Sequence, residues 1–197
     1  MVRIKSVLCG MVMLLLVSGC AEQTEGNKNS KTKKKEDKPE VELVTDISRR
    51  QLFVVKEKDT IRTYDIAVGK ASNPTPTGSF KIHQIDFNPD WTPPESEWSK
   101  DKEYTPPGHP KNPMGRVRIV YQKPYSIHGT KDLNSLGEAE SHGSIRMAND
   151  DVVELAKLIM KESDTRKPND WYNDVLRDST KMVSVKLENK VPLRNKQ

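Results

Sequence analysis

Cysteine is almost missing from this chain of 197 residues: there are two, Cys9 and Cys20, both within the first twenty positions. Everything after Cys20 is therefore without a thiol or a disulfide of its own, and chemistry there has to run without sulfur. Aromatic residues make up only 6% of the chain, so the core has to be largely aliphatic. Long apolar runs are absent beyond Val7–Val17, which is too short for a comfortable membrane span. The excess of positive charge is small, +5, and is spread along the chain. With no basic helix and no aromatic–basic alternation, nucleic acid is not an expected partner.

What is present begins with an export pattern. Arg3 and Lys5 precede the apolar run, and Leu16-Val17-Ser18-Gly19-Cys20 closes it. Small residues at 18 and 19 admit a peptidase, and a cysteine follows at once. This resembles a bacterial lipoprotein signal over residues 1–19, with Cys20 as the lipidated first residue of the mature chain. An ordinary cleaved signal or a single anchor helix is the alternative. Residues 20–40 then form a polar tether in which six lysines and five acids nearly cancel. Extended, it reaches about 65 Å at roughly 3.3 Å per residue. Lipid at Cys20 implies a membrane partner and an extracytoplasmic place in the cell envelope. Ala21 resembles the signal for the periplasmic face of the outer membrane, if the source has two membranes.

Residues 41–193 read as a single mostly-β domain, consistent with a sandwich or partly closed barrel carrying one or two helices. Val41–Val44, Gln51–Val55 and Ser79–Ile85 are β-rich runs, and Tyr64, Ile66 and Val68 alternate at a two-residue period. Nine of the thirteen prolines fall between Pro74 and Pro113, which predicts a long irregular loop over 88–114 lining a site or acting as a lid. Strands are expected again at Arg116–Tyr121, Tyr125–His128 and Met182–Leu187. Helices are expected from Asp150 and over Asp170–Arg177. The first carries an apolar stripe of Val152, Leu155, Ala156 and Ile159 and acids at its positive end.

Two of the four histidines stand out. His128 ends a strand at the turn Ile127-His128-Gly129-Thr130, whereas His142 lies in Ser141-His142-Gly143-Ser144-Ile145-Arg146-Met147. His83 and His109 are expected to be structural or exposed. The segment around His142 packs two hydroxyls, an imidazole, a glycine and a guanidinium into six positions. Those are parts for acyl transfer: His128 as general base, Ser144 as attacking group, N–H groups near Gly143 as an oxyanion hole, and Arg146 for a carboxylate. A zinc site on His109, His128 and His142 competes, but no HxxxH or HxH spacing supports it.

These two segments resemble the catalytic signature of the L,D-transpeptidase (YkuD-like) family, a His-Gly-Thr turn followed by Ser-His-Gly-Cys-Ile-Arg-Met. Thr75-Pro76-Thr77-Gly78, Asn88-Pro89-Asp90-Trp91-Thr92-Pro93-Pro94 and Asn112-Pro113-Met114-Gly115 match further family elements in order, over about residues 41–161. The resemblance implies a β-sandwich-like catalytic domain under a proline-rich loop, acting on the tetrapeptide stems of peptidoglycan in cell-wall remodelling. It implies His128 as proton acceptor and donor, Ser144 in the place of the nucleophile, and Gly129, Ser141, His142, Gly143 and Arg146 around the substrate and oxyanion. It also places Trp91 and Tyr125 near the cleft. It implies no metal and no organic cofactor, and the sequence carries no signal for an oligomeric state.

Serine at 144 departs from the family cysteine. A hydroxyl has to give its proton to a base during attack, whereas a thiolate forms at accessible pH. Three expectations stay open: a serine variant that transfers acyl groups, a catalytically silent, lipid-tethered module that binds peptidoglycan or regulates, and an ordinary cysteine enzyme in which the serine is an engineered or erroneous residue.

Overall fold

A computed structural model describes residues 40–197. The expected signal, Cys20 and nearly all of the tether lie outside the described residues.

The described chain is mostly β with two helices, as the β-rich runs and the two helical segments of the sequence predict. Its strands are β1 (Val41–Asp46), β2 (Gln51–Lys56), β3 (Asp59–Asp65), β4 (Val68–Gly69), β5 (Gly78–Phe87), β6 (Val117–Gln122), β7 (Tyr125–Thr130), β8 (Ala139–Ser141), β9 (Ile145–Ala148) and β10 (Val183–Lys196). The helices are α1 (Asn149–Glu162) and α2 (Asn169–Arg177). Eight strands form one sheet in the order β3-β2-β1-β10-β5-β6-β7-β9, and β4 pairs with β8. The two ends of the large sheet meet. β3 stops at Asp65, Ile66 donates to the Arg50 carbonyl, and Ala67 exchanges both backbone bonds with Arg146 on β9.

That meeting also explains one correction. Tyr64, Ile66 and Val68 alternate as a single strand would, yet the strand breaks at Ile66, where the backbone changes partners from β2 to β9. A second correction concerns the closing strand, expected at Met182–Leu187. Read from its own residues the strand ends there, but β10 runs on to Lys196, past the polar Glu188-Asn189-Lys190 and an irregularity between Lys186 and Val191.

Register across four strands builds the half of the sheet that matters for function. Ile85 pairs with Ile119, Ile119 with Ile127, and Ile127 with Ile145. All four are fully buried. The next row over is Asp86, Arg118, His128 and Arg146, joined by Ser184 of β10. Because successive side chains alternate faces, an aliphatic row beneath dictates a polar row above. The amphipathic helix α1 packs against β6, β7 and β9. Val152, Leu155, Ala156, Ile159 and Met160 form its buried stripe, while Asp150 and Asp151 sit favourably in its first turn. Asn149 ties the helix start to the sheet: its Oδ1 accepts from the Arg116 N–H at 2.9 Å, and its Nδ2 donates to the Thr130 carbonyl at 3.1 Å.

Between Phe87 and Val117 the chain has one short 3-10 turn, Glu97–Ser99, and a single bridge between Trp91 and Thr105. Proline density accounts for it, since proline supplies no N–H for a ladder.

Candidate active site

A cleft of about 1560 Å³ opens above the polar row. Its floor includes Asp86, Arg118, Ser126, His128, Ser144 and Arg146, and residues 90–114 of the proline-rich segment form the facing wall. His128 and Ser144, sixteen positions apart, therefore face one groove. Ser144 precedes β9 and lies two residues before Arg146, the register partner of His128. It is thus a diagonal neighbour of the imidazole across the parallel pair β7–β9.

His128 is 6% exposed. Its Nδ1 lies 2.9 Å from the Gly129 carbonyl oxygen. A carbonyl only accepts, so Nδ1 carries the proton and Nε2 is left with a lone pair. Burial pushes the histidine down to about 4; the Gly129 contact opposes this, and the cations Arg146 and Arg118 on either side add to it. The imidazole is consequently neutral at physiological pH, the form that can accept a proton.

Ser144 is half-buried, and its Oγ accepts from the Ser126 N–H at 3.2 Å. It makes no hydrogen bond with His128. Ser141 is buried and works inside the turn: its Oγ donates to the Ser144 carbonyl and accepts from the Gly143 N–H at 3.0 Å. The Gly143 N–H expected to face an anion is therefore already committed. Gly143 adopts a φ of +104°, and a Cβ there would lie 2.5 Å from the Tyr125 ring, so glycine is needed for both conformation and space. Gly129 also departs from expectation. It faces away from the cleft, where a Cβ would lie 2.4 Å from Asn149 Oδ1. Its part is to supply a carbonyl to His128 and close packing to α1.

His142 lies flat against Trp98, with ring centroids 3.9 Å apart and planes 18° apart; Trp91 follows at 6.5 Å. Partial burial lowers its pKa, helped by Lys70 and Arg146. Arg146 lines the cleft with no carboxylate partner among the described residues. Trp91 and Tyr125 both line the cleft, and so does His109, which is exposed there. No three histidine, cysteine or acidic side chains among the described residues converge as a metal site would require.

Sequence reasoning missed three features of this site. Asp86, 1% exposed, accepts from Arg118 Nε at 2.8 Å and from Gln84 at 2.7 Å, and Arg118 reaches on to Asp90 at the start of the loop. The alternation Arg118-Ile119-Val120 beside Ser126-Ile127-His128 carried that signal, had the strands been paired. Ser126 belongs to the same pattern. Trp98 had no signal, because its segment has no period.

Residues 40–179 match the model of the YkuD L,D-transpeptidase catalytic domain. The chain belongs to that family. Among YkuD-family relatives, the L,D-transpeptidase family protein YkuD of Bacillus subtilis is 33% identical over 118 residues, covering 59% of each chain. ErfK/SrfK of Escherichia coli K12 is 31% identical over 121 residues, covering 57% of this chain and 39% of its own. The chain thus matches a little over half of YkuD and well under half of ErfK/SrfK. Among solved structures, an L,D-transpeptidase from Mycobacterium smegmatis aligns with 18% identity and a TM-score of 0.48, covering 80% of this chain and 59% of the other.

Proposed function

We propose that the chain transfers acyl groups on peptidoglycan stem peptides, with Ser144 as the attacking group and His128 as its base. The observation that supports this reading is a neutral, Nδ1-protonated His128 beside Ser144 in one peptide-sized cleft. In the forward step Ser144 Oγ attacks the carbonyl that joins an L-centre to a terminal D-amino acid. Its proton passes to His128 Nε2, and the D-amino acid leaves with that proton, giving an ester on Ser144. An amine from a second stem then attacks the ester, gives a proton to His128 and frees the hydroxyl. Arg146, with its guanidinium unmatched, binds a stem carboxylate. The N–H of Ser144 remains for the developing oxyanion, since that of Gly143 is committed.

In this reading Cys20 carries lipid, residues 20–40 span outward from the membrane, and residues 41–193 work on the cell wall outside the cytoplasmic membrane. A cleft that binds stems without turnover is the second reading. It draws on the bond from the Ser126 N–H to Ser144 Oγ, which holds the hydroxyl without help from His128. Incubation of the full chain with disaccharide-tetrapeptide, read by intact mass, separates the two. An adduct that forms on the natural chain and is lost in Ser144→Ala supports acyl transfer. Tight binding with no adduct and no product supports the silent module.

A further inference from the structure

Seven buried side-chain polar atoms among the described residues have no hydrogen-bond partner. Only one of them, Ser126 Oγ, belongs to a residue that lines the cleft. Ser126 is 3% exposed. It pairs with Val120 on β6 and shares a face of β7 with His128, two residues on. Other buried hydroxyls nearby are matched. Ser141 Oγ is bonded on both sides, Thr75 Oγ1 accepts from the Gly69 N–H at 2.8 Å, and Thr130 Oγ1 accepts from the Asp132 N–H at 3.1 Å. A buried hydroxyl left without a protein partner costs stability, so its place beside the reacting groups calls for an account.

We propose that Ser126 is a substrate-contacting residue whose hydroxyl hydrogen-bonds the backbone of the stem peptide next to the scissile carbonyl. The inference rests on the acyl-acceptor reading of this cleft given above. Ser126 already touches Ser144, because its N–H donates to Ser144 Oγ at 3.2 Å. Its own Oγ is three covalent bonds from that nitrogen. A carbonyl positioned for attack by Ser144 therefore brings its flanking peptide groups to Ser126 Oγ. A hydroxyl both donates and accepts, so either a peptide carbonyl or a peptide N–H satisfies it. The free protein thus keeps a hydroxyl unmatched that bound peptide completes. A cleft of this kind discriminates against ligands lacking the peptide group, because they leave the hydroxyl buried and unpaired.

The test compares the full chain with Ser126→Ala and Ser126→Gly, measuring disaccharide-tetrapeptide affinity by calorimetry and Tm by thermal unfolding. The expected result for Ser126→Ala is at least a tenfold loss of affinity, about 1.4 kcal/mol, with Tm unchanged or raised. Ser126→Gly should lose affinity in the same way. Natural-chain affinity in both variants would overturn the inference and leave the cleft's function standing. A drop in Tm that matches the drop in affinity would also overturn it, by making Ser126 a packing residue. Failure of the natural chain to bind the tetrapeptide would remove the functional reading and this inference together.

Discussion

The floor and the wall of the cleft are built on different principles. On the floor, each functional side chain is one element of a ladder. Asp86, Arg118, His128 and Arg146 are in line because Ile85, Ile119, Ile127 and Ile145 are in line beneath them. Moving any one by a residue would exchange a buried isoleucine for a polar or charged side chain, at a steep cost. The wall between residues 88 and 116 has no ladder and hangs on a few separate ties. Asn88, at a φ of +47°, donates to the carbonyls of Val175, Asp178 and Lys181. Arg118 holds Asp90, and Asn112 donates to Pro89 and accepts from the Met114 N–H. Trp98 rests on His142. The floor is thus set by the register of a whole sheet, while the wall is set by single contacts.

If that contrast is right, the largest loss comes from the floor. Ile127→Ala, at a fully buried position in the middle of the aliphatic row, should cost about 2–5 kcal/mol in denaturant unfolding. A cost under about 1 kcal/mol would mean that the row does not organise the sheet.

Next in size is the pH dependence of His128. Unfolded, the histidine takes a proton below its ordinary value of 6.5; folded, it resists until about 4. Between those values the unfolded state binds more protons, so stability is held above 6.5 and lost as pH falls towards 4. The loss should amount to about 3 kcal/mol at ~1.36 kcal/mol per pH unit. His128→Asn should lack this component in unfolding curves taken at pH 7, 5.5 and 4. An identical decline in both chains would contradict burial of a neutral imidazole.

Ties in the wall should matter less. Asn88→Ala leaves three carbonyls without their shared donor and should cost about 1–3 kcal/mol, with Asp178 to Lys181 exchanging amide hydrogens faster. The smallest effect is expected from Trp98→Ala. Loss of one aromatic pair removes about 0.5–1.5 kcal/mol, and faster exchange should be confined to residues 91–105. Spread of that exchange to β7 would show the wall and floor to be one unit.

The same contrast governs how much the sequence revealed. Short β-rich runs between turn signals exposed β1, β2, β5, β6 and β7, and the helical stripe from Val152 to Ile159 exposed α1, because burial selects those residues and that period. His128 and the 141–147 segment were legible as motifs, and the family match over residues 40–179 agrees with them. Pairing was not legible. Nothing in the linear order says that Arg118 stands beside His128, that Ala67 bridges to Arg146, or that β10 runs parallel to β1. Nor do motifs reveal which N–H is already spent. Gly143 looked free for an oxyanion until Ser141 Oγ was seen to hold it. Trp98 was invisible for a different reason: in a segment without period, its partner is set by how the loop folds back.

The central claim is that His128 serves the group at position 144 across one groove, and an intact-mass time course can test it. Ser144→Cys and Ser144→Cys with His128→Asn are each incubated with disaccharide-tetrapeptide at neutral pH. The account predicts rapid adduct formation in the single variant and at least a hundredfold slower formation in the double variant, the usual scale for loss of a general base. Equal rates in the two would contradict it.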